Sequence, residues 1–190
     1  MSLDAEVVEL VARGRRDEAA TRLIRALGPE VLGYLRAVLH DGADAGDAFS
    51  QFAESVWRGL PTFRGDSSLR TWCYGIAWRC VMSLKRDPRH RRGERLGSTL
   101  ASQLAGHIFA TTAVERERQA GALEKLRARL NPEEQTLLTL RIDKRLAWNE
   151  VADVLEQASP PRPDVAVLRK RFERLKVKLA HAARDEGLVP

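Results

Sequence analysis

Tyr74 and Trp78 stand four residues apart, with Arg70, Arg79, Lys85 and Arg86 around them. On a helix that spacing sets the two rings one turn above each other. Rings among guanidinium groups suit nucleic acid, because bases stack on aromatic side chains while cations hold phosphates. The same two residues would equally serve as a second packing face of a buried helix, and the stretch taken alone leaves both readings open. A second cationic cluster lies near the end of the chain. Arg169, Lys170, Arg171, Arg174, Lys176 and Lys178 are six basic residues in ten, against the single acid Glu173. They interleave with Val165, Leu168, Phe172, Leu175, Leu179 and Ala182, which recur at threes and fours and define a helix over 165–186.

Chemistry of other kinds finds little support. There is no glycine-rich phosphate loop and no metal-ligand spacing, so no cofactor is expected. The histidines His40, His90, His107 and His181 are scattered and read as surface residues rather than catalysts. Cys73 and Cys80, the two cysteines, are separated by roughly 10 Å along one helix, too far to bridge each other. Both fall on an apolar stripe and read as buried structural thiols. No catalytic activity is expected.

The elements that must position these groups are nearly all helical. Leu69, Trp72, Cys73, Ile76, Ala77, Cys80, Val81 and Leu84 form the apolar stripe of a helix over 67–86. Ala45, Ala48, Phe49, Phe52, Ala53, Val56, Trp57 and Leu60 form that of a helix over 44–60. Two long striped helices with short connections pack face to face in a bundle. Further helices are expected at about 4–13, 16–27, 29–40, 115–130, 132–143 and 146–155. Asn131-Pro132-Glu133-Glu134 is a helix start, with an Asn cap, a proline at the first position and acids at the positive end of the dipole. From Asp87 to about Ala113 periodicity lapses into a basic, then Gly-, Ser- and Thr-rich segment that reads as a linker. Its arginine cluster is either a solubilising run or a nucleic-acid contact. The fold class is therefore all-α: two small helical domains, 1–87 and 115–190, joined by a flexible linker over 88–114.

The net charge of +6 favours an anionic partner, though weakly by itself. At 44% hydrophobic and 31% charged, the 190-residue chain can build a core in each domain. No apolar run approaches the length that crosses a bilayer, and Met-Ser-Leu-Asp-Ala-Glu is not a secretory start; a cytoplasmic protein without membrane insertion is expected. The short helix 146–155, a turn, then the long basic helix is a helix-turn-helix arrangement, whose second helix enters the major groove. An ordinary amphipathic helix with a solvated basic face is the plainer alternative.

These motifs resemble those of the extracytoplasmic-function (ECF) sigma factors, small two-domain members of the bacterial sigma-70 family. The most specific run, from Phe63-Arg64-Gly65-Asp66-Ser67 through Thr71-Trp72 to Ile76-Ala77, is similar to the family's regions 2.3 and 2.4. Residues from Asp44 to Arg58 resemble region 2.2. Leu123–Leu130 and Leu137–Ile142 resemble region 4.1, and Leu146–Leu155 with Leu168–Leu179 resemble the helix pair of region 4.2.

The resemblance implies a non-catalytic factor that binds core RNA polymerase, recognises −10 and −35 promoter elements and helps melt DNA. Asp44, Asp47, Gln51 and Trp57 would dock on the β′ clamp. Phe63, Arg64, Ser67, Arg70, Thr71, Tyr74, Trp78, Arg79, Lys85 and Arg86 would meet the −10 element. Arg169, Lys170, Arg171, Arg174, Lys176 and Lys178 would read the −35 element, with this domain at the β flap. The linker would thread through the polymerase, and an anti-sigma factor is implied as a regulatory partner.

Three departures bear on specificity. Ser50-Gln51 stands where region 2.2 usually has Gln-Glu, so one acidic clamp contact is lost. Arg79 stands where Asn is common. The turn Glu156–Pro163 has three prolines and no glycine, where three or four residues are usual. A free-standing helix-turn-helix regulator is the alternative; it would bind duplex DNA alone, without need of an aromatic face at 63–86.

Overall fold

A computed structural model of the protein describes residues 2–86 and 126–185. The first half holds α1 (Leu3–Ala12), α2 (Arg16–Leu39), α3 (Gly42–Gly59), a 3-10 turn (Leu60–Thr62) and α4 (Leu69–Arg86). The second half holds α5 (Pro132–Leu138), continued by a π-helical turn (Thr139–Asp143), then α6 (Trp148–Glu156) and α7 (Val165–Asp185). No strand occurs among the described residues. The expected linker, and most of the helix expected at 115–130, lie outside the described residues.

The two stripes read from the sequence form the core of the first half. Ala45, Ala48, Phe49, Phe52, Ala53 and Val56 of α3 are fully enclosed, as are Leu69, Cys73, Ile76, Ala77 and Val81 of α4. Helix starts follow the sequence too. Asp41 caps α3, its Oδ1 accepting from the backbone N–H of Ala43 at 2.8 Å and Asp44 at 2.9 Å. Asn131 and Glu134 form a reciprocal capping box at the start of α5, at 2.9 and 3.0 Å. Asp164 Oδ1 accepts from Ala166 N at 2.6 Å at the start of α7.

One boundary differs. The helices expected at 16–27 and 29–40 are a single helix, α2, with Pro29 inside it. Pro29 is exposed, and so is Arg25, whose carbonyl the missing N–H would have engaged, so water can hydrate that group. Leu23, Ile24, Val31, Leu32 and Leu35 are buried on both sides of the proline, and their packing holds the helix continuous. Local propensity loses to burial here.

The halves pack on each other. α4 lies against α6, α2 lies against α5, and buried side chains of both halves join in one hydrophobic cluster. α3 packs mainly on α2 and α4.

Candidate nucleic-acid interface

Ser68 opens α4, its Oγ accepting from the Thr71 N–H at 3.1 Å. Asp4 of α1 adds a carboxylate oxygen to that positive end, its Oδ2 accepting from the Leu69 N–H at 3.2 Å. Before it runs the loop Phe63–Ser67, where Gly65 takes a positive φ of 81°. That left-handed turn is open to glycine at no steric cost and leaves Arg64 and Asp66 exposed. Phe63 is half-buried against Trp72, with ring centroids 5.3 Å apart, which fixes the loop to the helix. Ser67 is half-buried beside it.

The expected exposure of Tyr74 and Trp78 is not what the fold has. Tyr74 is 1% exposed and Trp78 3% exposed, so both belong to a second packing face of α4. Tyr74 turns toward α2. Its hydroxyl donates to Glu30 Oε1 at 2.8 Å, its ring meets Tyr34 edge-on at 5.4 Å, and the Arg70 guanidinium lies 5.7 Å from its centroid. Arg70 is ion-paired to Glu30 and also donates to the Lys144 carbonyl oxygen at 3.1 Å. Partial burial opposes ionisation of Glu30. Hydrogen bonds from Arg70 and Tyr74, with the charges of Arg70 and Lys144, outweigh it and hold the carboxyl below the usual carboxylate range. Burial, then the Glu30 charge, pushes the Tyr74 phenol well above its ordinary value.

A stripe of α4 meets the second half. Thr71 Oγ1 donates to Glu150 Oε1 at 2.9 Å. At Gly75 the backbone of α4 lies so near Gln157 that a Cβ would collide with its carboxamide. Trp78 lines a cavity of about 550 Å³ whose walls include Leu137, Leu155, Pro160, Leu168 and Arg171. Arg86 donates to the Ala158 carbonyl oxygen at 3.4 Å. Off this stripe Arg79 is exposed, as is Lys85.

The second cationic cluster differs. Arg169, Lys170, Arg171, Arg174, Lys176 and Lys178 of α7 are all exposed, while Leu168, Phe172 and Leu175 are buried beneath them. Lys176 pairs with Glu173 and Lys178 with Glu134, each at 2.8 Å. The other four make no ion pair among the described residues. α7 is seated on α6 through Phe172 and Trp148, centroids 5.6 Å apart. The proline-rich turn is pinned by Arg162, which donates to Asp153 Oδ1 at 2.7 Å and to the Asn149 carbonyl oxygen at 3.1 Å.

On α3, Asp47 is exposed and Asp44 and Gln51 are half-buried, three and four residues apart on the side away from the buried stripe. Trp57 is partly buried and donates from Nε1 to Asp17 Oδ1 at 3.2 Å. Sequence reasoning missed Glu30, Tyr34, Thr136, Glu150 and Gln157. None stands in a motif; each acquires its part only when segments distant in sequence meet, as when Tyr34 and Thr136 share a buried hydrogen bond of 3.1 Å.

A helical bundle followed by a helix pair whose second member is exposed and cationic is an arrangement suited to a DNA-binding transcription factor. The family model for sigma-70 region 2 matches residues 23–92, which hold α3, α4 and most of α2. The chain is 31% identical over 172 residues to RNA polymerase sigma factor YlaC of Bacillus subtilis, across 87% of this chain and 95% of that one. It is 27% identical over 198 residues to RNA polymerase sigma-H factor of Pseudomonas aeruginosa, across 98% and 94%. The chain belongs to the RNA polymerase sigma factors, as an ECF-type member of the sigma-70 family. Nothing in these relatives favours a free-standing regulator. No described helix is long and apolar enough to cross a membrane.

Proposed function

We propose that this sigma factor divides promoter recognition among three faces. The outward face of α3, with Asp44, Asp47, Gln51 and the neighbouring Trp57, docks on the β′ clamp of core RNA polymerase. The loop Phe63–Ser67 with α4, through Phe63, Arg64, Ser67, Arg70, Thr71, Tyr74, Trp78, Arg79, Lys85 and Arg86, serves the −10 element and its melted strand. α7 serves the −35 element, with Arg169, Lys170, Arg171 and Arg174 as the leading contacts and Lys176 and Lys178 as partly engaged ones, and its domain sits at the β flap. The residues act by binding, and no catalytic step is assigned to them. An anti-sigma factor is the expected regulator.

The observation that carries this reading is the face of α7: four cations without ion-pair partners among the described residues, exposed on a helix fixed by its apolar underside. Guanidinium groups so held can take phosphates and the acceptor edges of guanine. Tyr74, Trp78 and Thr71 enter with a changed part. The Tyr74 ring and hydroxyl are engaged by α2, and Trp78 and Thr71 are buried on the flank that meets the second half, so all three support the shape of α4.

The test is co-purification with bacterial core RNA polymerase followed by run-off transcription on fragmented genomic DNA. Stable association with discrete start sites is the expected result. Absence of core binding, with a gel shift by the protein alone, would overturn it.

A further inference from the structure

Arg171 and Arg174 stand three apart on α7 and share one face of it. Both are exposed, both line the cavity that Trp78 also lines, and neither makes an ion pair among the described residues. The cavity holds about 550 Å³, within the range of roughly 300–1,000 Å³ that accepts a small molecule. Its inner wall is apolar: Trp78, Leu137, Leu168 and Leu175 line it and are buried. Pro160, Pro161 and Pro163 of the turn add the flat faces of three rings. Arg162 holds that turn in place through Asp153 and Asn149, so the wall is formed in advance.

The charges at the cavity leave one positive. Lys178 donates to both oxygens of Glu134, at 2.9 and 2.8 Å, and that pair cancels. Arg171 and Arg174 then face Glu133, two cations against one acid. Glu133 lies in the first turn of α5, where the helix dipole already complements it. A phosphate or a guanine edge would use the two guanidinium groups and leave the apolar wall without a partner.

We propose that this cavity binds a flat aromatic monoanion, an aryl carboxylate of naphthalene size, with its rings against Trp78 and the prolines and its carboxylate on Arg171 and Arg174. The planar guanidinium fork matches a carboxylate in geometry and charge, and contact between flat rings holds the remainder. An arginine so engaged cannot hold DNA, so the bound anion competes with the −35 element. That consequence rests on the reading of α7 given above.

The experiment uses the full chain and naphthoate, with naphthylmethanol and naphthylmethylammonium as its neutral and cationic counterparts. Equilibrium dialysis measures the binding of each. Modification by butanedione, read by mass spectrometry, reports which arginines are engaged. Arg169 is exposed on the same helix and does not line the cavity, which makes it the internal control. The same probes are then added to run-off transcription by holoenzyme.

We expect one saturable site for naphthoate. Affinity should fall about tenfold for naphthylmethanol and about tenfold in Arg174→Ala, as on losing a hydrogen bond between charged groups. At about ten times the Kd, Arg171 and Arg174 should react about tenfold more slowly while Arg169 keeps its rate. Equal affinity for the alcohol or the ammonium would overturn the proposal. So would equal slowing of Arg169, which would mark adventitious association with the surface of α7. Naphthoate should also lower the discrete transcripts of the wild-type holoenzyme; full transcription with Arg171 and Arg174 protected in that holoenzyme would overturn the competition. Failure of the reading of α7 looks different: Arg171→Ala and Arg174→Ala would transcribe like wild type without any probe, while dialysis and protection stood.

Discussion

α4 and α7 are built from similar ingredients, an apolar stripe flanked by cations and rings, yet they end in opposite situations. α4 is enclosed on two sides, and its aromatic flank is covered. α7 is enclosed on one side and holds its cations in solvent. The difference lies in what occupies the second flank. On α4 it is Thr71, Tyr74, Gly75 and Trp78, groups that become favourable to bury once a hydroxyl finds an acceptor. On α7 it is Arg169, Lys170, Arg171 and Arg174, which cannot leave water without carboxylate partners. Rings between cations therefore do not by themselves mark an open surface, whereas a dense cationic flank without acids does.

The largest test of this contrast is Tyr74→Ala. With the ring packed on Tyr34 and its hydroxyl on Glu30, truncation should cost about 3–5 kcal/mol of folding stability, measured by urea denaturation. An unchanged midpoint would mean that α4 has no second packing face.

Glu30→Gln comes next. It weakens the acceptor shared by Arg70 and Tyr74 and should cost about 1.5–3 kcal/mol. Because this carboxyl is held below the usual range, its contribution in the wild type is complete above the unfolded carboxylate pKa. It fades as pH falls through the depressed folded value. The stability gap between wild type and Glu30→Gln should therefore narrow on acidification, and a gap that widened toward acid would break the assignment.

On α7 the same size of change should leave folding alone. Arg169→Ala and Arg171→Ala should keep the unfolding midpoint and weaken promoter binding by holoenzyme, by about 1–3 kcal/mol wherever the side chain reads a base. A uniform loss on all DNA sequences, with a shallower salt dependence, would make the residue a phosphate contact.

The smallest effect concerns the thiols. Cys73 and Cys80 are free and buried. Burial raises both thiol pKa values, that of Cys80 to about 11, with Arg79 offsetting part of the effect. Neither should react with an aromatic disulfide reagent at neutral pH until denaturant is added; rapid reaction of the native chain would show that the interior of α4 opens readily.

Much of this was legible in the residues, for reasons that are local. The stripes of α3, α4 and α7 repeat at helical period, and Asn131 caps the helix that follows it. The Phe63–Ala77 run carries the family. What escaped was decided between segments distant in sequence. Whether Tyr74 is open or covered depends on Glu30, 44 residues away, and Thr71 finds its acceptor 79 residues away in Glu150. No periodicity encodes such a pairing. Pro29 misled for a related reason: its local cost is real, but burial of Ile24, Val31 and Leu32 on either side outweighs it.

The covered aromatic flank of α4 is tested most directly by hydroxyl-radical footprinting of the free full-length chain, read by mass spectrometry at each tryptophan. Trp57, Trp72 and Trp148 are each partly accessible, and Trp78 is 3% exposed. We expect Trp78 to be the slowest of the four to be oxidised in the wild-type chain and to rise to the rate of Trp57 in Glu150→Lys. Oxidation of Trp78 as fast as Trp57 in the free wild-type chain would contradict the account.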